Sequence, residues 1–121
     1  MTDDQIALGR RAVACRGWRW MGGMATDEGH RVVLVDTDVV WMVYEGEGKC
    51  KPGCVEDFVP DLTDPATLGC LLALVREALN SPRVHVLYVE GLYRWECADN
   101  RTVHGVGATE AEALIETLEY A

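Results

Sequence analysis

The sequence predicts an α+β fold: a mainly antiparallel sheet of five or six strands with about three helices, one of them central and apolar. Three observations carry this reading. β-branched runs separated by short polar turns recur in both halves of the chain, which is hairpin spacing. The segment 65–79 is apolar at helical spacing and opens on Asp64-Pro65. Capping-box signatures stand near both ends, at Thr2-Asp3-Asp4-Gln5 and Thr109-Glu110-Ala111-Glu112. With 121 residues, a single domain over 1–121 is expected, long enough to bury a core without disulfide staples.

The first capping box starts a short helix at residue 3, which Gly9 is expected to end. Residues 11–15 (Arg-Ala-Val-Ala-Cys) read as extended. Gly17 opens a tryptophan-rich stretch, Trp18-Arg19-Trp20-Met21, closed by Gly22-Gly23. His30–Val35 and Val39–Tyr44 form a hairpin across Asp36-Thr37-Asp38. Residues 45–60, with Gly46, Gly48, Pro52 and Gly53 among several charges, read as a long loop. Aspartate at an N-cap accepts from the free N–H groups and proline at the first helical position loses nothing, so a helix runs from Pro65 to about Leu79. Asn80-Ser81-Pro82 stops it. That helix is apolar nearly all round, so it is covered on more than one side. The cover is either a second subunit or a central place in a two-layer fold. Strands follow at 83–89, 92–98 and 102–107, turning at Glu90-Gly91 and at Asp99-Asn100-Arg101. The last helix carries one apolar stripe, Ala111, Leu114, Ile115 and Leu118.

Composition narrows the function classes. Eleven Lys and Arg stand against 20 Asp and Glu, a net charge of −9, which argues against duplex nucleic acid as a partner. No apolar run approaches the ~20 residues of a membrane span. The acidic opening Met1-Thr2-Asp3-Asp4 does not resemble an export signal, and five cysteines are an odd number, so reduced thiols and a cytoplasmic location are expected. Cys50-Lys-Pro-Gly-Cys54 reads as a turn with two thiols, but zinc needs about four ligands and His30, His85, Cys97 and His104 are scattered. No metal or cofactor is therefore expected.

Catalytic signatures are sparse. Ser81, the only serine, sits in a helix-stop turn, which leaves a Ser-His-Asp hydrolase without a nucleophile. There is no Gly-rich phosphate loop and no paired zinc-ligand motif. His85 within an apolar strand reads as structural, and Trp41 and Trp95 read as core. The acidic pairs are adjacent in sequence, so in a strand their side chains point to opposite faces. The chain is expected not to be an enzyme.

One segment departs from the average. Residues 10–26 hold Arg10, Arg11, Arg16 and Arg19 and no acid, whereas the other seven basic residues face all 20 acids, a balance of −13. Trp18 and Trp20 are interleaved with these arginines. A guanidinium fork suits phosphate or carboxylate, an indole offers a stacking face, and glycine backbone at Gly22-Gly23 allows close approach to an anion. Arg16, Gly17, Trp18, Arg19, Trp20, Gly23 and Met24 are thus candidate residues for a small anionic, nucleotide-like ligand. The other reading of the same residues places both indoles in the core and pairs the arginines with surface carboxylates.

Three blocks, Arg11–Met24, Asp61–Glu77 and Ala108–Leu114, resemble small uncharacterised proteins of bacteriophages and prophages. The opening from Ala7-Leu8-Gly9 through Arg16-Gly17-Trp18 to Gly23-Met24 is similar to that of the phage anti-Thoeris sponge family. The likeness implies sequestration, without degradation, of cyclic ADP-ribose-type signals by Arg16, Gly17, Trp18, Gly23 and Met24. Beyond residue 24 the chain departs from that family. The expected function is a non-enzymatic, homo-oligomeric phage-type binder with an anti-defence role, sequestering a small anionic nucleotide-like ligand. The alternative is an acidic protein–protein inhibitor of a host nucleic-acid-binding or defence protein.

Overall fold

The computed structural model describes residues 1–36, 39–43 and 50–121. They form three α-helices and two three-stranded antiparallel sheets. The fold is α+β, with six strands divided between two sheets. The order is α1 (Asp3–Ala14), β1 (Arg31–Asp36), β2 (Val39–Val43), β3 (Cys50–Cys54), α2 (Pro65–Ala78), β4 (His85–Val89), β5 (Arg94–Asp99), β6 (Thr102–Gly107) and α3 (Glu110–Tyr120). Among the described residues no helix is long and apolar enough to cross a membrane.

All three expected helix starts are present. Thr2 and Gln5 make the reciprocal capping box of α1, Asp64 accepts from Thr67 N–H at 3.0 Å, and Thr109 accepts from Glu112 N–H at 3.1 Å. The first helix, however, does not stop at Gly9: residues 11–14 are helical, not extended. Gly9 serves packing instead, because a Cβ there would run into Val59 and lie 2.9 Å from the carbonyl oxygen of Pro60. The helix ends where the Cys15 N–H turns back to Ala12 O.

The hairpin β1–β2 has the expected strands, apart from Thr37-Asp38 and Tyr44, which lie outside the described residues. The expected loop 45–60 is corrected from residue 50 onward. Cys50–Cys54 is an edge strand on β2, followed by a 3-10 turn at Val55–Asp57; residues 45–49 lie outside the described ones. An edge strand tolerates Pro52, whose missing donor needs no ladder partner. The Cys50–Cys54 segment is therefore extended, and four strand steps separate its thiols by about 13 Å, too far to share one ion. In the second sheet, Glu90–Leu92 is a 3-10 turn completed by Tyr93 at φ 51, instead of a two-residue turn at Glu90-Gly91. Asn100 and Arg101, both left-handed at φ 46 and 71, make the expected tight turn between β5 and β6.

Two apolar cores meet at α2. Leu71 and Val75 join Ala12, Val84, Cys97 and the α3 stripe in the first core. Leu74 joins Trp20, Met24, Val32, Val40 and Met42 in the second. A central place in the fold thus accounts for the apolarity of α2 within one chain. α3 lies on the β4–β5–β6 sheet, mainly over β6, and all four residues of its predicted stripe are buried. Trp41 is corrected: it stands 37% exposed on β2, because Val40 and Met42 take the inward face. Trp95 is half-buried against the first core, and His85 is exposed with Nδ1 3.0 Å from Arg83 O.

Candidate functional site

The tryptophan-rich stretch is not a strand. After α1 the chain turns, with Trp18 N–H bonded to Cys15 O at 3.1 Å, and runs irregularly to Met21. Gly17 makes the turn fit, since a Cβ there would lie 2.9 Å from Leu118 of α3. Trp18 then reaches both cores, and its ring meets that of Trp20 edge-on, centroids 5.6 Å apart at 81°. Trp20 keeps only 6% of its surface exposed.

Beside these indoles lies a cleft of about 260 Å³, lined by Val13 of α1, Trp18, Arg19, Trp20, Val35 of β1 and the Val55-Glu56 turn. It unites Trp18, Arg19 and Trp20 of the seven candidates. Arg16 is exposed, with no ion pair among the described residues. Gly17 is committed to Leu118, and Met24 is fully buried. Gly23, at φ +98, donates its N–H to Val32 O at 2.7 Å and accepts at its carbonyl from the Arg31 guanidinium, so its backbone is engaged in holding β1. The Trp18 Nε1–H is buried without an acceptor among the described residues. A buried donor of this kind costs free energy unless a water or ligand oxygen meets it.

The arginine cluster divides. Arg11 bonds Glu119 of α3 at 2.6 Å, and Arg19 bonds Glu77 of α2 at 2.8 Å. Arg10, like Arg16, is exposed and carries no ion pair among the described residues. The cleft lining holds Arg19 and one opposite charge, Glu56, so it is balanced and not strongly basic.

Elsewhere, Asp64 ties β1 to the start of α2. It receives a two-point bond from Arg31 of β1 at 2.9 and 3.0 Å, caps α2, and accepts from the Thr67 hydroxyl at 3.0 Å. The guanidinium, then the Thr67 donors, hold its carboxyl at about 2, below the usual 3.8. Ser81 donates to Asp99, and no histidine partners it among the described residues. No group of three or more metal-ligating side chains occurs among the described residues. Burial pushes the thiols of Cys15, Cys70 and Cys97 up, and Cys50 and Cys54 are exposed.

Sequence reasoning missed a larger cavity of about 340 Å³ at the start of α3, where Leu8, Leu68 and Trp95 come together. Its signal was slight: Trp95 is a single indole between Arg94 and Glu96, and only the packing of α1 and α2 beside it makes the cavity. No protein-family model matches the chain, and neither the characterised proteins nor the solved structures contain a significant match.

Proposed function

We propose that the protein is a non-enzymatic binder that holds a small anionic, nucleotide-like ligand at the Trp18–Arg19–Trp20 cleft. One observation carries the reading: two edge-packed indoles border a cleft, and the Nε1–H of one is buried without an acceptor among the described residues. An aromatic ring seated there finds apolar walls in Val13, Val35 and Val55. With a small turn of the Trp18 ring toward the cleft, a ring nitrogen or carbonyl of the ligand would satisfy the indole donor. The anionic group falls to Arg19, which exchanges Glu77 for it. That pair is more than half exposed on both sides, so its loss costs at most about 1 kcal/mol. A cleft of about 260 Å³ lies just below the usual range for small-molecule sites, so it encloses one ring system and leaves the rest of the ligand at the surface.

Sequestration in a phage anti-defence setting, and assembly as a homo-oligomer, belong to the same proposal and rest on the resemblance of residues 7–24. Native mass spectrometry with AMP, ADP-ribose and cyclic ADP-ribose reads assembly and capture together. A captured ligand is expected to leave unchanged on denaturation. Trp18→Phe, which keeps an aromatic face but loses the N–H donor and part of the stacking area, should weaken capture by roughly tenfold or more. Arg19→Ala should remove preference for the charged ligands. No capture by the wild type, or equal capture by both variants, refutes the assignment.

A further inference from the structure

Three cavities adjoin around the start of α3. The one of about 340 Å³ shares Gln5, Leu8 and Thr109 with a neighbour of about 400 Å³ that reaches Asp4 and Glu112. It shares Leu68 and Glu110 with another of about 470 Å³ that continues along α2 to Leu72 and Val86. Shared walls make them one groove, from the first turn of α1 across the start of α3 and along α2. Its apolar floor is concentrated: Leu8, Leu68, Leu72, Val86 and Trp95 are five of the seven half-buried side chains packed against the first core. Beside it α2 exposes Ala66, Gly69 and Ala73, and a Cβ added at Gly69 meets nothing within 4 Å, so the approach is open.

Charge selects the occupant. Asp4, Glu110 and Glu112 border the groove, and among the described residues its lining holds one arginine, Arg11, already bonded to Glu119, and one histidine, His85. A second copy of the chain, at −9 overall, matches this acidic rim less well than a basic segment, so any homo-oligomer is expected to form on another face. A segment with an apolar stripe flanked by Lys or Arg matches both floor and rim. We propose that this groove docks a basic amphipathic segment of a partner protein. Its apolar side chains lie on Leu8, Leu68 and Trp95, and its cations meet Asp4, Glu110 and Glu112. The groove is separate from the tryptophan cleft, and neither assignment needs the other.

The test uses the full chain and a fluorescein-labelled Leu/Lys peptide of about four helical turns with one apolar stripe. Two controls accompany it: a scrambled peptide that breaks the stripe, and a Leu/Glu analogue. Fluorescence anisotropy near physiological ionic strength should show the striped Leu/Lys peptide binding roughly tenfold or more tighter than either control. Amide shifts should concentrate at Gln5, Leu8, Leu68 and the Trp95 indole. Asp4→Lys with Glu110→Lys, both at the surface and checked for fold by circular dichroism, should weaken binding by a similar factor. The proposal is overturned by no binding, by equal binding of the scrambled peptide, by shifts confined to other surfaces, or by a dimer of the chain that itself protects Trp95 and Leu68.

Discussion

Replacing Asp64 probes the junction on which both cores depend. Its carboxylate caps α2, takes the Arg31 guanidinium, and accepts from Thr67, whose hydroxyl in turn accepts the Ala25 N–H at 2.8 Å. In Asp64→Ala the lost cap costs about 1 kcal/mol. Thr67 is fully buried, so its orphaned hydroxyl adds about 1 kcal/mol. Arg31 is half exposed and adds at most about 0.5 kcal/mol. The sum is about 2–2.5 kcal/mol, or roughly 8 °C in Tm for a domain of this size. Asp64→Asn keeps a capping oxygen and an acceptor for Thr67, so it should cost about 0.5–1 kcal/mol. Urea unfolding followed by tryptophan fluorescence measures both, with an unchanged m-value expected. The folded-state pKa is depressed, so the charge contributes stability above the unfolded value of 3.8 and loses it as pH falls toward about 2. The gap between wild type and Asp64→Asn should thus be full at neutral pH and close across that window. The reasoning fails if Asp64→Ala is neutral, if Asn is as costly as Ala, or if the gap ignores acid.

Two further outcomes are expected. Gly105→Ala should destabilise by about 1–3 kcal/mol, because its Cβ would press on Thr117 and sit 2.6 Å from Ala113 O, whereas Gly69→Ala, with open space and a helical backbone, should stabilise by about 0.5–1 kcal/mol; paired thermal melts decide, and equal effects would contradict the packing of α3 on β6. Brief alkylation of the native protein followed by mass mapping should modify Cys50 and Cys54 and spare the buried Cys15 and Cys97, and mild oxidation should form no Cys50–Cys54 bridge within a chain, given about 13 Å along the strand; such a bridge would remove β3.

Features closed within a few residues were legible in the sequence. Thr2, Asp64 and Thr109 bond amides three residues ahead, Asn100-Arg101 reverses the chain on its own dihedrals, and the α3 stripe repeats within three turns. The same logic misled where a local signal served a distant partner. Gly9 looked like a helix stop but admits Val59 and Pro60, and Pro52-Gly53 looked like loop but lies on an edge strand beside Trp41 and Val40. Trp41, within Val39–Val43, and Trp95, between Arg94 and Glu96, both read as core, yet one faces outward and the other borders a groove. Alternation tells which residues share a face and leaves open which face the rest of the chain covers.

The candidate cleft divides in the same way. Sequence alone marked the Arg/Trp segment by its charge asymmetry, and it determined the starts of the three helices, five of the six strands and the apolar α2, but not β3. Tertiary structure decided that Trp18, Arg19 and Trp20 border a cleft with Val13, Val35 and Val55, while Gly23 and Met24 are spent on β1 and the second core. It also split the strands into two sheets with α2 between their cores. Caps and stripes arise from bonds between near neighbours, whereas a cleft is the gap left when distant segments pack, so its shape depends on every element that closes it.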